Sequence, residues 1–198
     1  IEEGPMAGWL YRNLKSDVDR FVVCDPRRNK LISSDGEKTD AIDAGDLAAL
    51  LRGGYLREIY HTEDENRLAL KDAIAIYHDR VREAVRQINK LRGRCRCYGV
   101  TVPGRVLKNP SFRKEWASQL NLPDLNRQLS ILWVGFDAVS KQVKMARKEI
   151  TRLSQSYPII SYWKDLPGIG PIRAITLFAY LDTPWRFSSS KKLWKYCG

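Results

Sequence analysis

Histidine and cysteine are scarce in this 198-residue sequence, with two and four copies respectively. His61 and His78 alone cannot build a histidine-based metal centre. Cys24, Cys95, Cys97 and Cys197 are too few and too unevenly spaced for a disulfide scaffold, and Cys95-x-Cys97 lacks the second pair that a zinc site needs. Reduced structural cysteines are therefore expected. Long apolar runs are also missing: none approaches the roughly 20 residues that cross a bilayer, and no signal-peptide pattern is present. Neither repeats nor low-complexity tracts occur. What remains, 43% hydrophobic and 29% charged residues, suffices for one real core or two small domains and excludes a disordered tail.

The net charge of +11 is unevenly spread. Residues 82–114 hold ten Lys or Arg (Arg82, Arg86, Lys90, Arg92, Arg94, Arg96, Arg105, Lys108, Arg113 and Lys114) against Glu83 alone, whereas residues 1–66 hold 14 acids and nine bases. A basic block without compensating acids suggests a polyanionic partner, nucleic acid first, over a merely solvated helix face.

Residues 1–60 read as an α/β pattern: a strand ending at Ile1, helical spacing from Pro5 to Leu14, and a short buried strand at Phe21-Val22-Val23-Cys24 closed by Asp25-Pro26. After a polar loop from Arg27 to Glu37, Thr39 caps a helix through Leu51 that Gly53-Gly54 ends. From Thr62 onward long helices take over. Leu70, Ile74, Tyr77, Val81, Val85, Ile88 and Leu91 form one apolar series, and Leu125, Leu129, Leu132, Phe136, Val139, Val143, Ala146, Ile150 and Leu153 alternate four and three throughout, a heptad seam. A Gly- and Pro-punctuated basic connector joins them, which makes an antiparallel helical hairpin the simplest arrangement, packed within one chain or across a homo-oligomer.

Three features carry chemistry. Asp40 and Asp43, in Lys38-Thr-Asp-Ala-Ile-Asp-Ala, project from one helical face closely enough to share a hard cation, although two acids in a first turn also serve as plain dipole partners. Asp46 follows one turn on. Glu2-Glu3-Gly4 stands just past an apolar strand end, where carboxylates of RNase H-like nucleases meet others from a nearby helix and hold two magnesium ions. Leu166-Pro-Gly-Ile-Gly-Pro-Ile-Arg-Ala174 matches a helix-hairpin-helix element, whose glycines let backbone N–H groups approach phosphates; an ordinary interhelical turn is the alternative.

Taken in order, Glu-Glu-Gly, Val-Val-Cys-Asp-Pro-Arg-Arg-Asn, Lys-Thr-Asp-x-x-Asp-Ala, a long helical insert, Leu-Pro-Gly-Ile-Gly-Pro, Arg186-Phe-Ser-Ser and Leu-x-x-Tyr-x-Gly resemble the DEDD insertion-sequence transposases over almost the whole chain. The resemblance implies a mostly α protein with a partial RNase H-like (RuvC-like) α/β region at 1–61, an antiparallel coiled-coil insert with a basic connector at 62–157, and the start of a helical transposase domain at 158–198. It implies Glu2, with Glu3 as fallback, Asp40 and Asp43 as catalytic magnesium ligands. A further aspartate would precede Ile1 and a nucleophilic serine would follow Gly198, so the chain reads as cut at both ends and incomplete for catalysis. Ser188, Ser189 and Ser190 read as a helix cap. Arg82, Arg86, Lys90, Arg92, Arg94, Arg96, Arg105, Lys108, Gly168, Gly170 and Arg173 are the expected nucleic-acid contacts. The implied partners are DNA and a structured guide RNA, in a cytoplasmic, nucleoid-associated prokaryotic setting. Two rivals stay open on sequence alone: a Holliday-junction resolvase or other RNase H-like nuclease, and a non-catalytic nucleic-acid-binding scaffold.

Overall fold

The computed structural model describes residues 1–28, 39–62 and 64–198. Most of the polar loop expected from Arg27 to Glu37, and Lys38 at the head of the two-aspartate motif, lie outside the described residues. Helix dominates: α1 (Ala7–Leu14), α2 (Asp40–Gly53), α3 (Glu65–Arg96), α4 (Gly104–Lys108), α5 (Ser111–Gln119), α6 (Pro123–Ser154), α7 (Ile159–Lys164), α8 (Pro171–Leu181) and α9 (Ser190–Cys197). These group into two compact units, one of Ile1–Glu65 with Thr183–Gly198, the other of Asn66–Asp182. No helix among the described residues is long and apolar enough to cross a membrane.

In the first unit, the apolar run Val22-Val23-Cys24 is buried, and Cys24 sits between two neighbours. It bridges Glu2 in parallel and Glu58 in antiparallel sense. The Cys24 N–H donates to Ile1 O at 2.9 Å, the Glu3 N–H to Cys24 O at 2.9 Å, and the Ile59 N–H to Val23 O at 2.7 Å. The expected pair of parallel strands is thus reduced to isolated bridges. Helix α2 begins and ends as its sequence requires: Thr39 Oγ1 accepts from the Ile42 N–H, and Gly54 closes it at φ +72, a left-handed conformation that favours glycine. Toward the chain's end, Ser189 Oγ accepts from the Lys192 N–H and caps α9. The Arg186 guanidinium lies 5.1 Å from the Tyr60 ring, 4.6 Å from Phe187 and 4.5 Å from Tyr196, which ties the closing segment to residue 60 by cation–π contacts.

The second unit is built on α3 and α6, each of 32 residues and so about 48 Å long at 1.5 Å per residue. They run antiparallel: Arg80 Nη1 donates to Gln142 Oε1 at 3.3 Å, and the Gly135 backbone comes close to the Gln87 amide. Every seam position of α6 from Leu125 to Leu153 is buried or half-buried. On α3 the seam passes through Ala84, and Val85 is 51% exposed; the alternation of four and three that links Val81 to Ile88 selects residue 84, and Val85 lies one step beyond it.

Two cores close the ends of this hairpin. One gathers Leu91 and Cys95 of α3, Val102 and Val106, Trp116 of α5, and Leu125, Leu129 and Phe136 of α6. The other gathers Leu70, Ile74 and Ile150 with Ile160 of α7 and Ala174, Ile175, Phe178 and Ala179 of α8. At this second core Arg67 Nη1 donates to the Asp182 carbonyl at 2.6 Å and pairs with its carboxylate at 2.9 Å, the guanidinium lying 4.2 Å from the Phe178 ring. The contact helps hold Asp182 at φ +60, where a non-glycine residue is strained.

Candidate carboxylate site and nucleic-acid interface

Glu2, Glu3, Asp40, Asp43 and Asp46 all belong to the first unit. On α2, Asp40 and Asp43 begin the helical stripe that continues through Leu47 and Leu51. Leu47 and Leu51 line a hollow of about 220 Å³ together with Ile1, Phe21 and Val22. Leu47 and Leu51, on the same stripe as the two aspartates, therefore lie beside Ile1. Asp40 and Asp43 are both exposed and both in the first turn, where their charge also favours the helix dipole. Of the two glutamates, Glu2 forms the bridge to Cys24, while Glu3 Oε2 lies 2.8 Å from His61 Nε2. The His61 ring stacks against Tyr11 at 5.7 Å. Sequence reading missed this pair: 58 residues separate its members, and no local pattern announces it.

Among the described residues no three His, Cys, Asp or Glu side chains stand close enough together to hold a metal ion. Glu2 is thus not joined to Asp40 and Asp43 in a three-acid cage. Cys95 is buried, and burial pushes its thiol up, whereas Cys97 is exposed.

The basic block divides by environment. Arg82 pairs with Asp79 at 3.8 Å and Arg86 with Glu83 at 2.8 Å. Contact with Arg80 holds Asp79 below the usual carboxylate range, and a hydrogen bond from Gln87, helped by the charges of Arg86 and Lys90, does the same for Glu83. Both acids stay ionised and offset part of the local positive charge. Arg113 is buried; its Nη1 meets Asp137 Oδ2 at 2.6 Å, its Nε donates to Val106 O at 3.2 Å, and the guanidinium lies 4.1 Å from the Trp133 ring. It is a structural strut. Arg92 and Lys108 line an open cleft of about 590 Å³, where they are joined by Lys141 and Lys144 from α6. Those two lysines were missed in the sequence because they lie outside the 82–114 block; the off-seam positions of α6, with Lys141, Lys144, Arg147 and Lys148 against Glu149, hold the signal.

The glycine-rich segment forms the turn between α7 and α8. Gly168 takes φ +79, which favours glycine, while Gly170 is extended and precedes Pro171 at the first position of α8. Arg173 Nη1 donates to Gly168 O at 2.8 Å, so this arginine braces the turn itself.

A family model described as a transposase of the DEDD, IS110 type matches residues 3–95, and one described as the transposase IS116/IS110/IS902 family matches residues 161–198. The chain belongs to the IS110 family of DEDD transposases. A search of curated proteins finds no match. In this transposase the first match covers the carboxylates Glu3, Asp40 and Asp43 and most of α3, and the second covers the glycine turn and α9. Transposases are enzymes that cut and rejoin DNA, so DNA is the substrate. Residues 96–160, which hold α4, α5 and α6, fall between the two matched segments.

Proposed function

We propose that this transposase breaks and rejoins the DNA of an insertion sequence through a carboxylate site to which Glu2, Asp40 and Asp43 contribute, on a partial RNase H-like domain spanning 1–61. The observation that carries the reading is the α2 stripe, which leads from Asp40 and Asp43 to Leu47 and Leu51 beside Ile1. The donor chemistry fits magnesium, since all three groups offer hard oxygens and this ion is commonly held by one or two carboxylates plus substrate phosphates. The preformed three-acid cage does not fit, because no such cluster exists among the described residues. When bound, magnesium would polarise the scissile phosphate. The chain's own contribution is to present two carboxylates on one rigid helical turn.

Residues 62–157 serve in this reading as a coiled-coil arm with a basic connector, and 158–198 as the start of the helical transposase domain. Gly168, Gly170 and Arg173 approach the DNA backbone there. Arg82, Arg86, Lys90, Arg92, Arg94, Arg96, Arg105 and Lys108 hold phosphates of DNA and of a structured guide RNA. An electrophoretic shift series with duplex DNA tests this: with about six phosphate contacts, affinity should fall on the order of a thousandfold between about 50 and 200 mM salt. Binding that ignores salt, or no binding, overturns the electrostatic reading.

The arm also carries the homo-oligomer contact. Ile131 and Val134, each 73% exposed, and Met145 at 60% lie on α6 away from its seam. Replacing Ile131 and Val134 with Lys is expected to convert the oligomer to monomers in sedimentation velocity at unchanged helicity. An unaltered sedimentation coefficient would rule the face out.

A further inference from the structure

The cleft between the helical hairpin and the α4–α5 cap joins two unlike surfaces. Its lining combines apolar side chains, Ile88, Leu107, Pro110 and the largely buried Phe136, with the cations Arg92, Lys108, Lys141 and Lys144. Asp137, the acid on this cleft, is occupied by Arg113 at 2.6 Å. Among the described residues no carboxylate forms an ion pair with any of these four cations. Four uncompensated charges beside an apolar lining match a ligand that joins anionic groups to a flat apolar body. At about 590 Å³ the space lies in the ordinary range for small-ligand sites, roughly 300–1,000 Å³.

The cleft does not end there. Lys144 also borders a second hollow of about 480 Å³, lined by Arg147, Lys148, Thr151, Arg152 and Gln155. Positions 141, 144, 148, 151 and 155 recur at three and four, so they form one face of α6 opposite in character to its apolar seam. From Ser140 to Gln155 that face is about 22 Å long at 1.5 Å per residue, with room for roughly four nucleotides, the low end of single-strand site sizes.

Resting on the nucleic-acid reading above, we infer that this cleft and the adjoining face of α6 bind an unpaired stretch of polynucleotide. One base seats against the apolar part of the lining, its phosphates meet Arg92, Lys108, Lys141 and Lys144, and the strand continues over Arg147 and Lys148. A paired duplex cannot use that apolar lining, because its bases are stacked inside and its phosphates face outward; a base must leave the stack to reach it. The repeat of cations beyond the cleft favours a regularly charged polymer over an acidic peptide.

The test measures fluorescence anisotropy with the full 198-residue chain and labelled oligomers of about 12 nucleotides, as single-stranded DNA, single-stranded RNA and blunt DNA duplex of one sequence. Ser140→Trp, which fills the cleft, should weaken single-strand binding at least about fivefold and duplex binding less than about twofold, in line with the loss of one base contact. Lys141→Ala with Lys144→Ala should lower the salt slope for single strands by about 1.4, as expected for two phosphate contacts. A stronger effect on the DNA or on the RNA arm names the strand's source; either supports the site. Equal losses for single strand and duplex in Ser140→Trp overturn it, as does competition by polyglutamate that matches the oligonucleotide. If Ser140→Trp melts early in circular dichroism, an unchanged salt slope in the lysine variant overturns it instead. Failure to bind any nucleic acid sinks the reading of the previous subsection as well, whereas duplex binding without single-strand binding sinks this inference alone.

Discussion

Leu129→Asp and Ile150→Asp are each expected to cost about 4 kcal/mol or more and to lower the melting temperature by roughly 10 °C. Leu129 is 2% exposed in the core shared by α3, α4, α5 and α6, and Ile150 is fully buried in the core shared with α7 and α8. A carboxylate at either site loses its water and gains no partner, since the lining is aliphatic and aromatic. The two variants should also differ. Leu129→Asp loosens the end that carries the basic cleft, so nucleic-acid binding should fail at temperatures where the rest of the unit still holds. Ile150→Asp acts at the end where α7 and α8 dock, so protection of the α8 amides from hydrogen exchange should fall first. Thermal unfolding followed by exchange checks both, and a loss below about 1 kcal/mol in either variant would show that the seam is not buried as described.

The hairpin was legible because its information is local. An apolar residue every three or four positions for 30 residues admits one reading, and the burial of Leu125, Leu129, Phe136, Val139 and Ile150 follows from it. Where the sequence series departed from the structure, at Val85, the cause was a β-branched residue adjacent to the true seam position, Ala84, which is small enough to pass unnoticed. The α2 helix was equally legible, since Thr39 and Gly54 mark its ends by their own chemistry.

Features that depend on distant partners were not legible to the same degree. Val22-Val23-Cys24 has the composition of a strand, yet its pairing is made by Ile1–Glu3 and Glu58–Ile59, and among the described residues it amounts to single bridges. The basic block of residues 82–114 is defined by adjacency in sequence. Folding instead buries Arg113, pairs Arg82 and Arg86 with acids one turn away, and brings Arg92 beside Lys141 and Lys144, about 50 positions further along. That last juxtaposition depends on the antiparallel register of α3 against α6, which residue spacing within either helix does not encode.

Asp40→Asn combined with Asp43→Asn is expected to lower strand cleavage by the transposase by at least about a hundredfold while leaving DNA affinity within about twofold. Asparagine keeps the shape of aspartate and removes its charge. Both residues are exposed in the first turn of α2 and make no core contact, so the structural cost is confined to the lost dipole interaction, about 0.3–1 kcal/mol each. Thr39 still caps the helix. A folded protein with a disabled site is therefore the expected product. The alternative role, two acids that merely stabilise a helix end, predicts a different outcome: the same small loss of stability with cleavage unchanged. Measuring magnesium binding by titration calorimetry alongside cleavage separates the two. Loss of both magnesium heat and cleavage assigns Asp40 and Asp43 to the metal, and Glu2→Gln should then reproduce the defect, whereas Glu3→Gln, which breaks the contact with His61, should not. Full cleavage by the double asparagine variant would move the catalytic carboxylates elsewhere in the chain and leave the α2 stripe as packing alone.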